Sequence, residues 1–276
     1  TNPNLGTSGG QRIRVFEKNN SGEYQQVAFR TPSLPGSVFH SNDGNDIFIY
    51  ENDFVVGVDA TTGGDSNHGA AAFFTSASSG GWQQVAALTA SPLADNQDFT
   101  PRALYKDLSI CSSFDNTSNI GSVHIIRKGL NVSEANSLGW AEEQKITLSA
   151  ADAAFALFGH RADIYGTTAA VAAPSQDQGG TSRGAVYIYN SSSVGNGWTI
   201  SQTIVQPGAA DLDTFGRQVA LDRTTLAISN AKNKVFIYEL EGGKWSQKQI
   251  LQPDTYPSAM TNTFGSTLSL HNNVLV

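Results

Sequence analysis

Carboxylates and histidines that follow strand-like runs are the residues of this sequence best suited to acid–base chemistry. His40 and His160 come directly or almost directly after an aromatic residue that opens such a run. The nearest carboxylates are Asp43, Asp46, Asp163 and Asp222. Glycoside cleavage needs two facing carboxyl groups, but no H-E-x-x-H, G-x-S-x-G or other nucleophile-plus-base pattern is present. We therefore expect that the protein is not an enzyme and that these carboxylates lie in solvated loops.

The stretch at residues 42–46 is the best candidate for metal binding. Asn42, Asp43, Asn45 and Asp46 supply oxygen atoms around a glycine that permits a sharp turn, and oxygen ligands suit Ca²⁺. Calcium is accordingly the one cofactor that the sequence suggests. The alternative is an ordinary turn, because Asn, Asp and Gly favour turns without any metal.

Five aromatic residues recur at one place in the sequence pattern and form a candidate ligand-binding set. They are Tyr24, Trp82, Trp140, Trp198 and Trp245. Exposed rings would stack on sugars, and five weak sites would gain affinity from multivalency. The alternative is that each ring packs in the interior, with its N–H or O–H reaching a partner.

Four N-x-S/T sequences are candidate glycosylation sites, at Asn19, Asn116, Asn131 and Asn190. Asn19, Asn131 and Asn190 fall at the same place in three repeats, in the loop between two strand-like runs. An exposed loop is where an acceptor asparagine must lie. The alternative is that asparagine recurs there because it favours turns.

Regular spacing of aromatic residues shows that the chain is built from repeats. The tryptophans are separated by 58, 58 and 47 residues, and Tyr24 lies 58 residues before Trp82. A second series, Phe39, Phe99, Phe158, Phe215 and Phe264, has intervals of 60, 59, 57 and 49 residues. The two series keep the same order, so the sequence predicts five copies of one unit.

Each copy contains four short runs of strand-forming residues, separated by clusters of Gly, Asn and Ser. Residues 185–189 (AVYIY) and 235–238 (VFIY) are the clearest of these runs. A short polar loop, such as residues 241–244, joins the third run to the fourth and predicts a hairpin. Four antiparallel strands in about 50 residues are typical of one blade of an all-β propeller.

The two ends of the sequence match complementary parts of one blade. Residues 270–276 resemble a second strand, whereas residues 12–17 resemble a third strand. We therefore predict a five-bladed ring that strands from both termini close, with a composite blade of residues 257–276 and 1–35. The whole blades are approximately residues 36–93, 94–152, 153–210 and 211–256. The alternative is that the chain, which begins with Thr, is an excerpt of a larger, for example seven-bladed, propeller.

The composition of the 276 residues excludes several classes of protein. Seventeen basic and 24 acidic side chains give a net charge of −7, which argues against nucleic-acid binding. No run of apolar residues is long enough for a transmembrane helix, so we expect no direct membrane insertion. The single cysteine, Cys111, excludes an intrachain disulfide and a Cys-based zinc site. Because it lies in an apolar run, we expect an inert buried thiol.

The fourth and fifth copies resemble FG-GAP repeats, the blades of the integrin α-chain propeller and its relatives. The FG pair is present at 158–159, 215–216 and 264–265, and residues 172–174 (AAP) occupy the GAP position. Both the G-A-V-Y-I-Y strand and the G-W-x-x-x-Q start of the last strand match the same pattern. The resemblance is sharp from about residue 155 onward. It implies a propeller of such blades, which in this family often bind calcium in an acidic loop.

Together these features predict a non-enzymatic extracellular module for adhesion, recognition or assembly, within a larger surface or filament-forming glycoprotein. Its expected partners are a protein or glycan at the cell surface or in the extracellular matrix, or further copies of itself. Two alternatives stay open: a propeller lectin with repeated glycan-binding sites, and a glycan-active enzyme with carboxylates at the mouth of the central channel.

Overall fold

The protein folds into antiparallel β-sheets. The computed structural model describes residues 13–32, 37–40, 47–62, 65–77, 81–90, 97–115, 120–129, 139–149, 156–192, 197–253 and 263–276. Within these ranges all regular structure is β-strand, which confirms the predicted all-β class. None of the described segments forms a helix that could cross a membrane.

Four sheets follow one another along the chain. Sheet I contains β3 (Ser37–His40), β4 (Ile47–Tyr50), β5 (Asp53–Thr62), β6 (Asp65–Ser76) and β7 (Trp82–Thr89). Sheet II contains β8 (Gln97–Tyr105), β9 (Leu108–Asp115), β10 (Gly121–Lys128) and β11 (Trp140–Thr147). Sheet III contains β12 (Ala162–Tyr165), β13 (Thr168–Ala173), β14 (Ala185–Ser191) and β15 (Trp198–Val205). Sheet IV contains β16 (Val219–Asp222), β17 (Thr225–Ser229), β18 (Val235–Glu241) and β19 (Lys244–Leu251).

Two hairpins flank these sheets. They are β1 (Ile13–Lys18) with β2 (Tyr24–Arg30), and β20 (Leu270–His271) with β21 (Val274–Leu275). In sheets II to IV each strand pairs with the next along the chain. In sheet I, β3 and β4 pair with opposite ends of β5, so two short strands occupy the first position.

A recurrent bulge shows which part of a blade the first hairpin represents. The pairing of the third with the fourth strand shifts register at residues 73/74, 125/126, 188/189 and 237/238 of sheets I to IV. The β1–β2 pair shifts in the same way between Val15 and Phe16. This hairpin therefore has the geometry of an outer strand pair. Its union with β20–β21 in one blade, the blade boundaries and the count of five stay predictions.

The hydrophobic core lies between facing sheets, in interfaces that we call seams. Buried clusters join β1–β2 to sheet I, sheet I to II, II to III, III to IV, and IV to β20–β21. The first strands of neighbouring sheets also contact one another, from β4 through β8, β12 and β16 to β20. Sheets stacked face to face with converging first strands are the arrangement of a β-propeller.

Close backbone packing explains the FG signature at the seams. Phe158 is fully buried at the start of sheet III, and its carbonyl oxygen lies where a Cβ on Gly121 of sheet II would be, only 1.8 Å away. Gly184 of sheet III approaches Phe215 of sheet IV in the same way, with a Cβ-to-oxygen separation of 2.2 Å. Only glycine allows this approach, so the repeat pairs a glycine in one blade with the Phe-Gly of the next.

Candidate functional site: the central cavity

The converging first strands enclose a central cavity of about 380 Å³. Its walls come from β4, β8, β12, β16 and the segment that leads into β20. Its polar lining includes Arg102, Arg161, Asp163, Gln218 and Thr267. Side chains from four sheets and from the segment before β20 thus line the same cavity. This cavity is therefore the best candidate for a functional site in the described part of the chain.

One position of the repeat supplies most of these polar groups. Arg102, Arg161, Gln218 and Thr267 each lie three residues after the recurrent phenylalanine of their copy. The sequence analysis missed this position because its residue type changes from copy to copy. The phenylalanine spacing alone would have aligned the four residues.

Hydrogen bonds hold the two guanidinium groups of the cavity in place. Arg161 Nε donates to Gln218 Oε1 (3.2 Å), and Arg161 Nη1 donates to the His160 carbonyl (2.9 Å). Gln218 Nε2 in turn donates to the carbonyl of Ser266 (2.7 Å). Arg102 Nε donates to Ser112 Oγ at 2.6 Å. The cavity thus presents two oriented positive charges.

Two of the four predicted carboxylates lie in the described residues, and one of these, Asp163, is in the cavity wall. Asp163 accepts the Leu221 N–H at Oδ2 (2.7 Å) and the Ile164 N–H at Oδ1 (2.8 Å). Burial raises the pKa of Asp163 to about 6, against the effect of these two hydrogen bonds. Asp222 is buried outside the lining, where Oδ2 accepts the N–H of Asn272 at 2.6 Å. Both carboxylates therefore link backbones across seams rather than lie in solvated loops.

The histidine beside the cavity is held neutral. Burial lowers the pKa of His160 to about 4, and the charges of Arg161 and Arg102 lower it further in the same direction. A neutral imidazole next to two guanidinium groups is a poor general acid at neutral pH. The side chain of His40, together with Asp43 and Asp46, lies outside the described residues.

The predicted calcium ligands and two glycosylation sites also lie outside the described residues: Asn42, Asp43, Asn45, Asp46, Asn116 and Asn131. In the described part of the chain, no three His, Cys, Asp or Glu side chains group as a metal site would require. Asn19 lies in the β1–β2 turn, where Oδ1 accepts the N–H groups of Ser21 and Glu23 at 3.0 and 2.9 Å. Asn190 is exposed, but within β14 rather than in the following loop.

The repeated aromatic residues divide into four buried rings and one exposed ring. Trp82, Trp140, Trp198 and Trp245 are at most 5% exposed, whereas Tyr24 is 71% exposed. A sugar platform needs an open ring face, so the placement of the four tryptophans matches the packing interpretation. Tyr24 alone presents its ring to solvent.

A glutamine four residues after two of the tryptophans joins neighbouring sheets. Gln144 Oε1 accepts the N–H of Trp198 (2.6 Å), and Gln144 Nε2 donates to the carbonyl of Trp198 (3.1 Å). Gln202 makes the same two bonds with Trp245, both at 2.9 Å. We call each pair of bonds a glutamine clasp. The W-x-x-x-Q pattern was visible in the sequence, but the role of its glutamine was not.

A second cavity, of about 400 Å³, opens at the seam between sheets II and III. Tyr105, Arg127, Thr167 and Trp198 are among the residues that line it. Trp198 Nε1 is buried and has no hydrogen-bond partner among the described residues. An orphaned buried donor costs free energy, and Nε1 is itself shielded although other atoms of Trp198 line the cavity.

A buried polar network in sheet II has the connectivity of a Ser-His-Glu triad. His124 Nε2 lies 3.0 Å from Ser113 Oγ and 3.2 Å from Ser122 Oγ, while His124 Nδ1 lies 2.5 Å from Glu142 Oε2. Hydrogen bonding to His124 lowers the pKa of Glu142. Ser113 and His124 are at most 1% exposed, so the network holds three strands together and presents no nucleophile to solvent.

Comparison with known proteins supports this fold. The FG-GAP repeat family matches residues 140–189, which run from the start of β11 into β14 and so join the last strand of one sheet to three strands of the next. Residues 140–189 are thus similar to one FG-GAP repeat, in a chain that folds as a β-propeller. Outside residues 140–189 the resemblance rests on the motifs described above.

The solved structure of a yeast protein supports the fold. Sqt1 of Saccharomyces cerevisiae aligns with 96% of this chain and 62% of its own, at 11% identity and a TM-score of 0.52. The chain thus spans less than two thirds of the length of that protein. The GH43 endo-arabinanase of Bacillus licheniformis aligns at 16% identity, with coverage of 86% and 84% and a TM-score of 0.33. Comparison with curated proteins finds no match.

Proposed function

We propose that this propeller is a non-enzymatic recognition module that acts outside the cell, in adhesion or assembly within a larger surface or filament-forming glycoprotein. The observation that carries the proposal is the chemistry of the central cavity. Two oriented guanidinium groups face a single described carboxyl, and both oxygens of that carboxyl accept backbone N–H groups. Such a site favours binding of a ligand over acid–base cleavage, which needs two free carboxyl groups.

Three further features support the extracellular part of the proposal. The FG-GAP repeat belongs to a family whose best-known members are integrin α-chains. Charged residues make up only 15% of the chain, and its polarity comes mainly from 29 Ser, 22 Thr and 20 Asn. Among the candidate acceptors, Asn190 is exposed in the structure. Its partners are expected to be proteins or glycans of the cell surface or matrix, or further copies of the chain.

A paired assay tests this function. The protein, secreted from eukaryotic cells, is immobilised on beads and offered to matrix-coated and cell-coated surfaces, and the same preparation is incubated with a panel of aryl glycosides. We expect retention of the beads and no hydrolysis above buffer. Hydrolysis that disappears in Asp163→Asn would contradict the proposal, because it would make the cavity carboxyl catalytic. Failure of secretion and of bead retention would contradict the extracellular role.

A lectin is the second candidate function, and the seam cavity favours it. Trp198, whose buried Nε1 has no hydrogen-bond partner among the described residues, and Tyr105 both line this cavity. An indole N–H that reaches the cavity when a ligand binds would donate to a sugar hydroxyl group. A glycan array, with and without calcium, tests the lectin. We expect Trp198→Phe to abolish the signal while preserving most of the packing. An array without binding in either condition would exclude this candidate.

A further inference from the structure

We infer that the central cavity binds the oxyanion of a small acidic sugar, with Arg102 and Arg161 as the anion-binding residues. This inference rests on the proposed recognition function and names its ligand class. A planar guanidinium group matches a carboxylate with two parallel hydrogen bonds. The cavity of about 380 Å³ lies within the range of roughly 300–1,000 Å³ that is usual for small-ligand pockets.

Among the described residues, two of the three charged side chains that line the cavity are positive, although the protein as a whole has a net negative charge. The chain carries a net charge of −7, yet two arginines line one small opening together with the single described carboxyl of Asp163. Both oxygens of Asp163 are directed to backbone N–H groups. With both oxygens of Asp163 occupied by backbone donors, the positive charge of Arg161 focuses the field on an anion that enters.

Hydrogen bonds to neutral acceptors orient the guanidinium group of Arg161 and leave its charge unpaired by a carboxylate of the described residues. Its Nε and Nη1 atoms donate to neutral acceptors, the side-chain oxygen of Gln218 and the carbonyl of His160. None of the salt bridges among the described residues involves Arg161. The guanidinium group therefore keeps its charge and its Nη2 donors for a ligand. Gln218 acts as a positioning residue, because Ser266 fixes its amide in turn.

The rest of the lining suits a polyhydroxylated ligand rather than a bare ion. Thr267 and Ser269 add hydroxyl groups on the side that leads into β20, and Phe48 adds an aromatic ring from β4. Hydroxyl groups pair with sugar hydroxyls, and a ring packs against the apolar face of a sugar. The combination of guanidinium, hydroxyl and aromatic groups is what a monosaccharide with one acidic group requires.

Isothermal titration of the intact chain tests the inference with galacturonate, galactose, galactose 6-sulfate and inorganic phosphate. We expect saturable binding of galacturonate, with galactose at least about tenfold weaker because it lacks the charge-assisted hydrogen bonds. If galactose 6-sulfate bound and galacturonate did not, the ligand would carry a sulfate group, and the expected carboxylate sugar would be wrong. If inorganic phosphate competed as well as galacturonate, the inference that the ligand is a sugar would be wrong. Equal affinity for galactose would overturn the anion site.

Variants locate the binding site. Arg161→Gln and Arg102→Gln should each weaken galacturonate binding about tenfold or more, and Arg161→Lys should lie between them and the wild type because it keeps the charge but loses the planar fork. Arg217→Gln is the matched control, since Arg217 is exposed and outside the cavity lining. Equal weakening in Arg217→Gln would contradict the assignment. Absence of galacturonate binding without hydrolysis would overturn this inference alone, whereas glycoside hydrolysis would overturn the proposed function.

Discussion

Two kinds of seam hold the propeller together, and they differ in how directly the repeat specifies them. The seams between sheets II and III and between III and IV each combine a glycine packed on the next Phe-Gly with a glutamine clasp on the next tryptophan. The seam between the β1–β2 hairpin and sheet I uses a different pair. Glu17 accepts the indole N–H of Trp82 at 2.7 Å, and Arg30 donates to the Trp82 carbonyl.

The difference shows what a repeat sequence preserves. At the tryptophan position, the seams between sheets II and III and between III and IV use a neutral glutamine, whereas the seam between β1–β2 and sheet I places two ionisable side chains there. Hydrogen bonds between neutral groups do not weaken with salt, whereas contacts of charged groups are screened. The glutamine contacts of Trp198 and Trp245 should therefore tolerate changes of ionic strength.

The largest effect should come from a methyl group in a repeat seam. Gly121→Ala places a Cβ against the Phe158 carbonyl oxygen, where the backbone of the next sheet must move. We expect a loss of about 4 kcal/mol or more in the free energy of unfolding, or failure to fold. The control is Gly129→Ala, which has open space but a φ of 78°, and should cost only about 1 kcal/mol. If urea denaturation showed equal losses of stability in the two variants, the backbone at the seam would be able to move and accommodate the added methyl group.

Truncation of the repeated aromatics should separate the buried positions from the exposed one. Trp198→Ala should lower the free energy of unfolding by about 3–4 kcal/mol, because it empties a buried site at the seam of sheets II and III. Tyr24→Ala, at the same place in the repeat, should change it by less than about 0.5 kcal/mol because the ring is exposed. A large loss in Tyr24→Ala would instead mean that β1–β2 is packed on both faces in solution, as ring closure requires.

Sequence spacing predicted the sheets because a blade is a local unit with a periodic pattern. The phenylalanine and tryptophan series marked corresponding places in successive sheets. Phe39 and Phe99 lie inside β3 and β8, whereas the later members of the phenylalanine series precede the first strand of their sheet or hairpin. The cavity arginines escaped notice because a position that faces open space is free to vary. The network of His124 with Glu142 escaped because its partners come from different strands, and no sequence motif records pairing across a sheet.

Two ionisable groups beside the central cavity, Asp163 and His160, should make the stability of the protein depend on pH in opposite directions. Asp163 has a pKa of about 6, above its ordinary value of 3.8, so its contribution to stability is full at low pH and falls as the pH rises from about 4 to 6. His160 has a pKa of about 4, below its ordinary 6.5, so its contribution falls as the pH drops from about 6.5 to 4.

Substitution should therefore change the pH dependence of stability with opposite signs. Relative to the wild type, Asp163→Asn should gain stability as the pH rises from 4 to 6, and His160→Gln should gain as the pH falls from 6.5 to 4, each by about 2 kcal/mol. Urea denaturation at half-unit pH steps measures both slopes. Parallel slopes in the two variants would mean that neither group is buried as described.

The smallest effect should come from removing the glutamine clasps. This change tests most directly whether the two kinds of seam differ. Gln144→Leu leaves the N–H and carbonyl of Trp198 without their partner, and Gln202→Leu does the same at Trp245. Each should cost about 1–2 kcal/mol. The costs should add in the double variant, because the clasps lie in different seams with no shared partner. Arg30→Leu should cost about 0.5 kcal/mol, and part of that cost should be lost in 1 M salt because the donor is charged, whereas the clasp variants should keep theirs. A salt-sensitive clasp would erase the distinction between repeat seams and the first seam.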